Sequence, residues 1–305
     1  MNGNRLFAAT CTAVLIAVGV GGCGATTPGS SARGGDRSEA KPSTVWPPAT
    51  SAPTATPAML AVYYLGTERV WREADGQPVD RIKLYREFHR TPTGDGSAQA
   101  KTVKAVGEAL ATSSAFDPDY RSGWPSGAYV REVQVDGDTV TVDIAGARTN
   151  SVGAEVAHQA VQQLVWTATA ASDKPGVRLL LDGEQVEELW GHVGIEGVLR
   201  RAPGADVLAH VWLIDPQHGA TVAQTFTVHV SGYVHESTIQ VLVRQGDRTL
   251  RETYVTVAGP ASSPFGEAKT SLTLPPGTYT VEAYSASNAS NGGKHFLDSH
   301  TITVG

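Results

Sequence analysis

The chain has 305 residues, of which 41% are hydrophobic and 18% charged, with a formal net charge of −6 and a pI near 5.8. That length allows about two domains of roughly 100 to 200 residues each, with at least one buried core. An acidic balance gives no basic face for a phosphate backbone, which argues against nucleic acid as a partner.

Arg5 precedes an apolar run from Leu6 to Val20. At 15 residues it is short of the roughly 20 that a spanning helix needs and suits the core of a signal peptide. The run ends at Val20-Gly21-Gly22-Cys23, which resembles a bacterial lipobox. The resemblance implies a lipoprotein signal peptide over residues 1–22, a diacylglyceryl thioether on Cys23, cleavage before it, and acylation of the new amino group. Each buried CH₂ contributes about 0.8 kcal/mol, so two or three chains hold a protein on a bilayer where one does not. The expected location is the extracytoplasmic face of the cell membrane. With Cys11 in the leader and Cys23 carrying lipid, no thiol is left for disulfides, Cys-ligated zinc or a Cys nucleophile.

Residues 24–58 hold 28 Ala, Ser, Thr, Gly or Pro among 35, with Trp46 as the only aromatic. Such a segment buries too little surface to offset its ordering entropy, so residues 23–58 are expected to be the lipidated cysteine and a disordered tether. As a coil its reach is about 5 to 6 Å times the square root of its length, roughly 30 to 35 Å.

Residues 59–201 are predicted to form an α+β domain. Leu60–Leu65 and Ile82–His89 read as strands, and Ser97 can cap a helix running to about Thr112, with Val103, Val106 and Leu110 on its apolar stripe. Arg131–Val135 and Thr139–Ile144 alternate apolar and polar residues about Asp136-Gly137, the pattern of a hairpin with one buried face. A second helix, Gly153–Thr169, carries an apolar stripe including Ala157, Val161, Leu164 and Val165. Val177–Leu181 returns to the sheet before Asp182-Gly183 turns, and Trp190 is expected at the domain junction.

Residues 202–305 have no helical period and are predicted to be all-β. Seven candidate strands, Leu208–Ile214, Thr225–Ser231, Thr238–Arg244, Arg251–Ala258, Lys269–Leu274, Thr278–Tyr284 and Ser299–Val304, are separated by turn signals such as Asp215-Pro216 and Pro275-Pro276-Gly277. Seven strands in about 100 residues match an immunoglobulin-like sandwich, here without the cross-sheet disulfide.

Two family resemblances follow. Val62-Tyr63-Tyr64-Leu65, Trp124-Pro125-Ser126-Gly127-Ala128, Val133 to Gly137, Thr139 to Asp143 and Val177 to Gly183 resemble a GerMN domain, the module of bacterial sporulation and germination proteins. Asp215-Pro216 with Gly219, Val228-His229-Val230-Ser231-Gly232, Glu236 before Ile239, and Tyr284-Ser285 are similar to the Gmad-type immunoglobulin-like domain that often follows it. His235 before Glu236, and Asn291-Gly292, depart from that pattern. The resemblance implies envelope binding or assembly and supplies no catalytic residues.

Signatures of chemistry are weak. Ser38-Glu39-Ala40-Lys41 matches S-x-x-K but lies in the tether, without the helix that would align the pair. His235-Glu236 opens like H-E-x-x-H, but the fifth position is Ile239. Asp117-Pro118-Asp119 reads as turn chemistry, since its flanks offer no series of oxygen ligands. His229 is out of phase with Phe226, Val228 and Val230 and is expected to face solvent. No catalytic residue, metal site or cofactor is therefore expected, and the chain is not expected to be an enzyme. A candidate binding surface combines Tyr120, Arg121, Trp124, Tyr129 and Arg131, because aromatic and Arg side chains anchor both protein contacts and sugar stacking. The expected partners are the membrane, through Cys23, and a protein or peptidoglycan in the envelope. A wall-processing enzyme or its activator, and a solute-binding lipoprotein, are the alternative readings.

Overall fold

The structure is a computed structural model that describes residues 57–72, 75–234, 237–259, 265–286 and 293–305. The predicted leader, Cys23, most of the predicted tether with Ser38 and Lys41, His235, Glu236 and Asn291-Gly292 lie outside the described residues. An α+β domain is followed by a β-sandwich.

The first domain opens with a long antiparallel hairpin, β1 (Ala58–Trp71) and β2 (Pro78–Thr91), paired from Ala58↔Thr91 to Trp71↔Pro78. Helix α1 (Ala98–Leu110) starts where the Ser97 hydroxyl accepts the Ala100 N–H at 3.1 Å, the expected cap. Its buried face carries Ala105, Val106, Ala109 and Leu110, while Val103 is exposed, one position off the predicted stripe. Strands β3 (Tyr129–Asp136) and β4 (Thr139–Ala145) form the expected hairpin. Helix α2 (Ala154–Ser172) then crosses over to β5 (Gly176–Leu181), which pairs parallel with β4. A core of Val106, Leu164, Val165, Val142, Ile144 and Leu179 fills the space between helices and sheet. Trp190 packs edge-on against Trp124 at 5.4 Å in this core and not at the domain junction, its indole N–H donating to the Ala147 carbonyl at 2.8 Å. The short ladder β6 (Glu188–Leu189) and β7 (Val193–Gly194) closes the domain.

A four-residue helix, α3 (Gly204–Val207), which no periodicity announces, leads into the second domain. One sheet combines β8 (Val211–Asp215), β10 (Thr225–Gly232) and β13 (Gly266–Thr273). The other holds β9 (Thr221–Val222), β11 (Thr238–Gln245), β12 (Arg248–Thr256), β14 (Gly277–Ala286) and β15 (Lys294–Val304) in the order β12-β11-β14-β15-β9. Inward residues of both sheets, including Leu213, Val228, Ile239, Val281 and Ile302, make its core.

A third cluster belongs to both domains. Val62, Tyr64, Leu65, Leu84, Tyr85 and Tyr120 pack with Val207, Leu208, Trp212 and Ile214, so the β1–β2 hairpin is buried against the sandwich as well as against its own helices. At its centre the Tyr85 and Tyr120 rings stack at 4.7 Å, an arrangement that adds about 0.5–1.5 kcal/mol beyond area burial. Gly66 makes the stack possible, because a Cβ there would stand 2.6 Å from the Tyr85 ring and 3.2 Å from Tyr120. Gly66→Ala is therefore expected to lower unfolding free energy by about 1–3 kcal/mol through overpacking. Denaturant titration checks this; a loss under about 0.5 kcal/mol, the scale of an inert surface change, would contradict it.

Candidate functional site

Buried polar groups concentrate along the seam between the domains. Glu87, on β2, accepts the backbone N–H groups of Phe116 at 3.0 Å and Asp117 at 2.9 Å, and the His89 ring nitrogen at 2.9 Å. His89 in turn stacks on Phe116 at 4.4 Å. This bracket fixes the loop before Tyr120 and presents the Asp117 side chain to the second domain.

The second domain answers with β15. Asp298 and His300 are two apart, in phase with Ile302 and Val304, so all four point to the buried face. Asp298 Oδ1 accepts the Tyr120 hydroxyl at 3.0 Å and the Ser299 N–H at 3.0 Å, while Oδ2 accepts the Leu213 N–H at 2.7 Å. His300 Nδ1 lies 2.7 Å from the Pro216 carbonyl, which can only accept, so that nitrogen carries the proton. His218, in the same turn as Pro216, places Nδ1 3.4 Å from Asp117 Oδ2, and His300 Nε2 lies 3.5 Å from the same oxygen. Burial pushes the Asp117 carboxyl above its ordinary value, and the nearby Asp298 raises it further. Burial likewise raises Asp298 and holds the Tyr120 phenol well above its usual range, so Tyr120 stays a donor. Asp117, Asp298 and His300 are the three residues that could hold a metal ion among the described ones.

Further bonds tie the seam. Glu68, fully buried, accepts the His210 backbone N–H at 2.6 Å and its ring at 2.9 Å. Gln217 brackets the free edge of β2, accepting from Phe88 N–H at 3.1 Å and donating to its carbonyl at 2.8 Å. Arg86 reaches Glu267 at 2.8 Å and lies over the Phe88 and Trp212 rings. Glu267 also takes His229 at 2.9 Å, with Asp215 3.8 Å from the other ring nitrogen. His229 is thus nearly buried and not solvated as its phase suggests, because the outer face of its sheet carries this ion-pair cluster.

The five residues of the predicted binding surface are not brought together. Tyr120 and Trp124 are buried, in different clusters, and the Trp124 indole donates to the Ala160 carbonyl at 3.0 Å. Arg121 is exposed, its backbone paired with Leu65. Tyr129 and Arg131 are exposed, Arg131 lying 3.3 Å from Asp143. Tight spacing in a loop says nothing of which side chains the loop turns inward. Asp117, His218, Asp298 and His300 were missed as a group. The one available signal was the phase of Asp298 and His300 with Ile302 and Val304.

Residues 61–187 match the family model Germane, described as sporulation and spore germination, and residues 210–292 match Gmad2, the immunoglobulin-like domain of bacterial spore germination. The chain carries a Germane domain followed by a Gmad2 domain. Both are non-catalytic families of sporulation and germination proteins. No curated protein sequence matches the chain. Among solved structures it is similar to the first GerMN domain of the sporulation protein GerM from Bacillus subtilis, with 20% identity over 47% of this chain and 98% of that one and a TM-score of 0.34. The tandem GerMN domains of the same protein share 17% identity over 71% of this chain and 61% of theirs, with a TM-score of 0.35. A Clostridium perfringens protein described as a lipoprotein shares 14% identity over 47% of this chain and 87% of its own, with a TM-score of 0.30.

The link between the Germane and Gmad2 domains through Arg86 and Glu267 has a pH signature. Burial pushes the Glu267 carboxyl up, but Arg86 and His229 outweigh it and hold it below the ordinary glutamate value. A depressed folded-state value contributes stability above the unfolded-state value and loses it as pH falls through the folded one. Glu267→Gln is expected to lower the thermal midpoint at neutral pH, by the equivalent of less than about 1 kcal/mol because the carboxylate is half exposed. The gap should close in acid; thermal scans that show it constant from neutral to strongly acid pH would contradict the assignment.

Proposed function

We propose that the protein is a lipid-anchored binding and assembly factor of the cell envelope, held on the extracytoplasmic face of the membrane through Cys23. Its Germane and Gmad2 domains are presented together to a protein or peptidoglycan partner, in a sporulation- or germination-related setting, without catalysis. The observation that carries the reading is the pairing of two domain types from non-catalytic sporulation and germination families. The apolar run ending in Val20-Gly21-Gly22-Cys23 supports the anchor, and no helix among the described residues is long and apolar enough to cross a membrane. The shared cluster under the β1–β2 hairpin supports presentation as a unit, since a partner meets two surfaces whose spacing is set in advance.

Of the predicted contact residues, Arg121, Tyr129 and Arg131 keep accessible side chains and remain the proposed contact positions. Tyr129, 59% exposed, can be removed without opening a core.

Cys23→Ala is expected to move the protein from the membrane to the soluble fraction, and fractionation that leaves it fully membrane-bound would refute the anchor. Crosslinking of the anchored protein in its own membrane, followed by identification of the captured species, tests the binding role. Tyr129→Ala is expected to fold normally and reduce capture severalfold. Turnover of peptidoglycan by the purified protein, abolished by one point substitution, would replace this reading with an enzymatic one.

A further inference from the structure

The cluster at the seam holds two histidine nitrogens that the protein itself does not satisfy. His300 is 2% exposed, and its Nδ1 is committed to the Pro216 carbonyl, which leaves Nε2 buried without a hydrogen-bond partner. His218 Nδ1 is likewise buried and without a hydrogen-bond partner. A buried nitrogen of this kind loses its water without gaining a partner. Both nitrogens face one oxygen, Asp117 Oδ2, at 3.4 and 3.5 Å, and His300 Nε2 lies 3.9 Å from Asp298 Oδ2.

None of these contacts is a hydrogen bond, and the separations of His300 Nε2 from the two carboxylates are near what a common ion would impose. Donors about 2.0–2.2 Å from a tetrahedral zinc ion stand roughly 3.3–3.6 Å apart along the edges of the tetrahedron. The ligand atoms of Asp117, Asp298 and His300 all lie within 4.8 Å of one another. The outer contacts are also those of a metal centre: a ligand imidazole donating its other N–H to a backbone carbonyl, and ligand carboxylates held by Asp119 N–H on Asp117 and by Tyr120 hydroxyl and Leu213 N–H on Asp298.

We infer that Asp117, Asp298 and His300 form a site for one divalent ion of the zinc class, which fastens the Germane domain to the Gmad2 domain, with His218 beside it on the same Asp117 oxygen. An imidazole nitrogen with two carboxylates favours such an ion over calcium or magnesium, which prefer all-oxygen sites. Neither carboxylate has an Arg or Lys within ion-pair distance among the described residues, so the ion supplies positive charge where the two carboxylates converge. The ligands come from both domains, so the ion acts as a staple.

The test uses the full chain in detergent, stripped with a chelator and titrated with zinc chloride. The expected result is one equivalent of zinc retained through gel filtration, a higher thermal midpoint, and an intense tetrahedral absorption when cobalt(II) is substituted. His300→Gln and Asp117→Asn should weaken binding by more than about tenfold. The zinc retention and the cobalt(II) spectrum of the parent keep the site testable if those variants fail to fold. Absence of a retained equivalent in the stripped parent, or binding in His300→Gln as tight as in the parent, would overturn the site.

Discussion

A two-stranded sheet has two edges of unpaired backbone groups and two faces, and in water a hairpin of this kind is marginal by itself. The β1–β2 hairpin resolves this constraint by spending each side on a different part of the chain. Along the β1 edge, α2 supplies Thr167 to the Tyr63 N–H and Gln163 to the Tyr63 carbonyl, and Leu65 pairs with Arg121. Along the β2 edge, the second domain supplies Ala209 to the Leu84 carbonyl and Gln217 to both backbone groups of Phe88. Ile82 on the same β2 edge is met by Glu155 and Gln159 of α2, so among the described residues that edge draws its partners from both domains.

The same constraint explains the unusual polarity of α2. Gln159, Gln162 and Gln163 are buried on a helix whose apolar stripe would suffice to pack it. Each is used as a spacer that bonds a strand or linker backbone: Gln159 to Ile82, Gln162 to Ala202, Gln163 to Tyr63, Ala109 and Gly123. Buried amides carry a desolvation cost that only specific partners offset, so they select one docking geometry where an apolar surface would accept several. Glu68 and Glu87 do the same with full carboxylates on the two hairpin strands.

Local pattern made much of this legible. The alternation in Val133 and Val135, Val140 and Val142 placed the central hairpin, Ser97 marked the start of α1, and the sandwich strands fell between their turn residues. What alternation could not convey was the second layer of burial. β1 and β2 are longer than their apolar cores because charged residues such as Glu68 and Lys83 are buried inside them by partners more than 100 residues away. The candidate site was hidden for the same reason: Asp117 reads as a turn residue until the fold brings β15 and the Pro216 turn against it. Tyr120 and Trp124 stand four apart in one loop yet enter different clusters, a divergence set by the packing of α2 and not by their spacing.

If the hairpin is the common property of both domains, neither can unfold while the other persists. Differential scanning calorimetry of the full chain tests this most directly. The account predicts one transition for the folded domains, with calorimetric and van't Hoff enthalpies in agreement. Two resolved transitions, each with its own enthalpy, would show that the hairpin belongs to one domain and that the seam is only a contact.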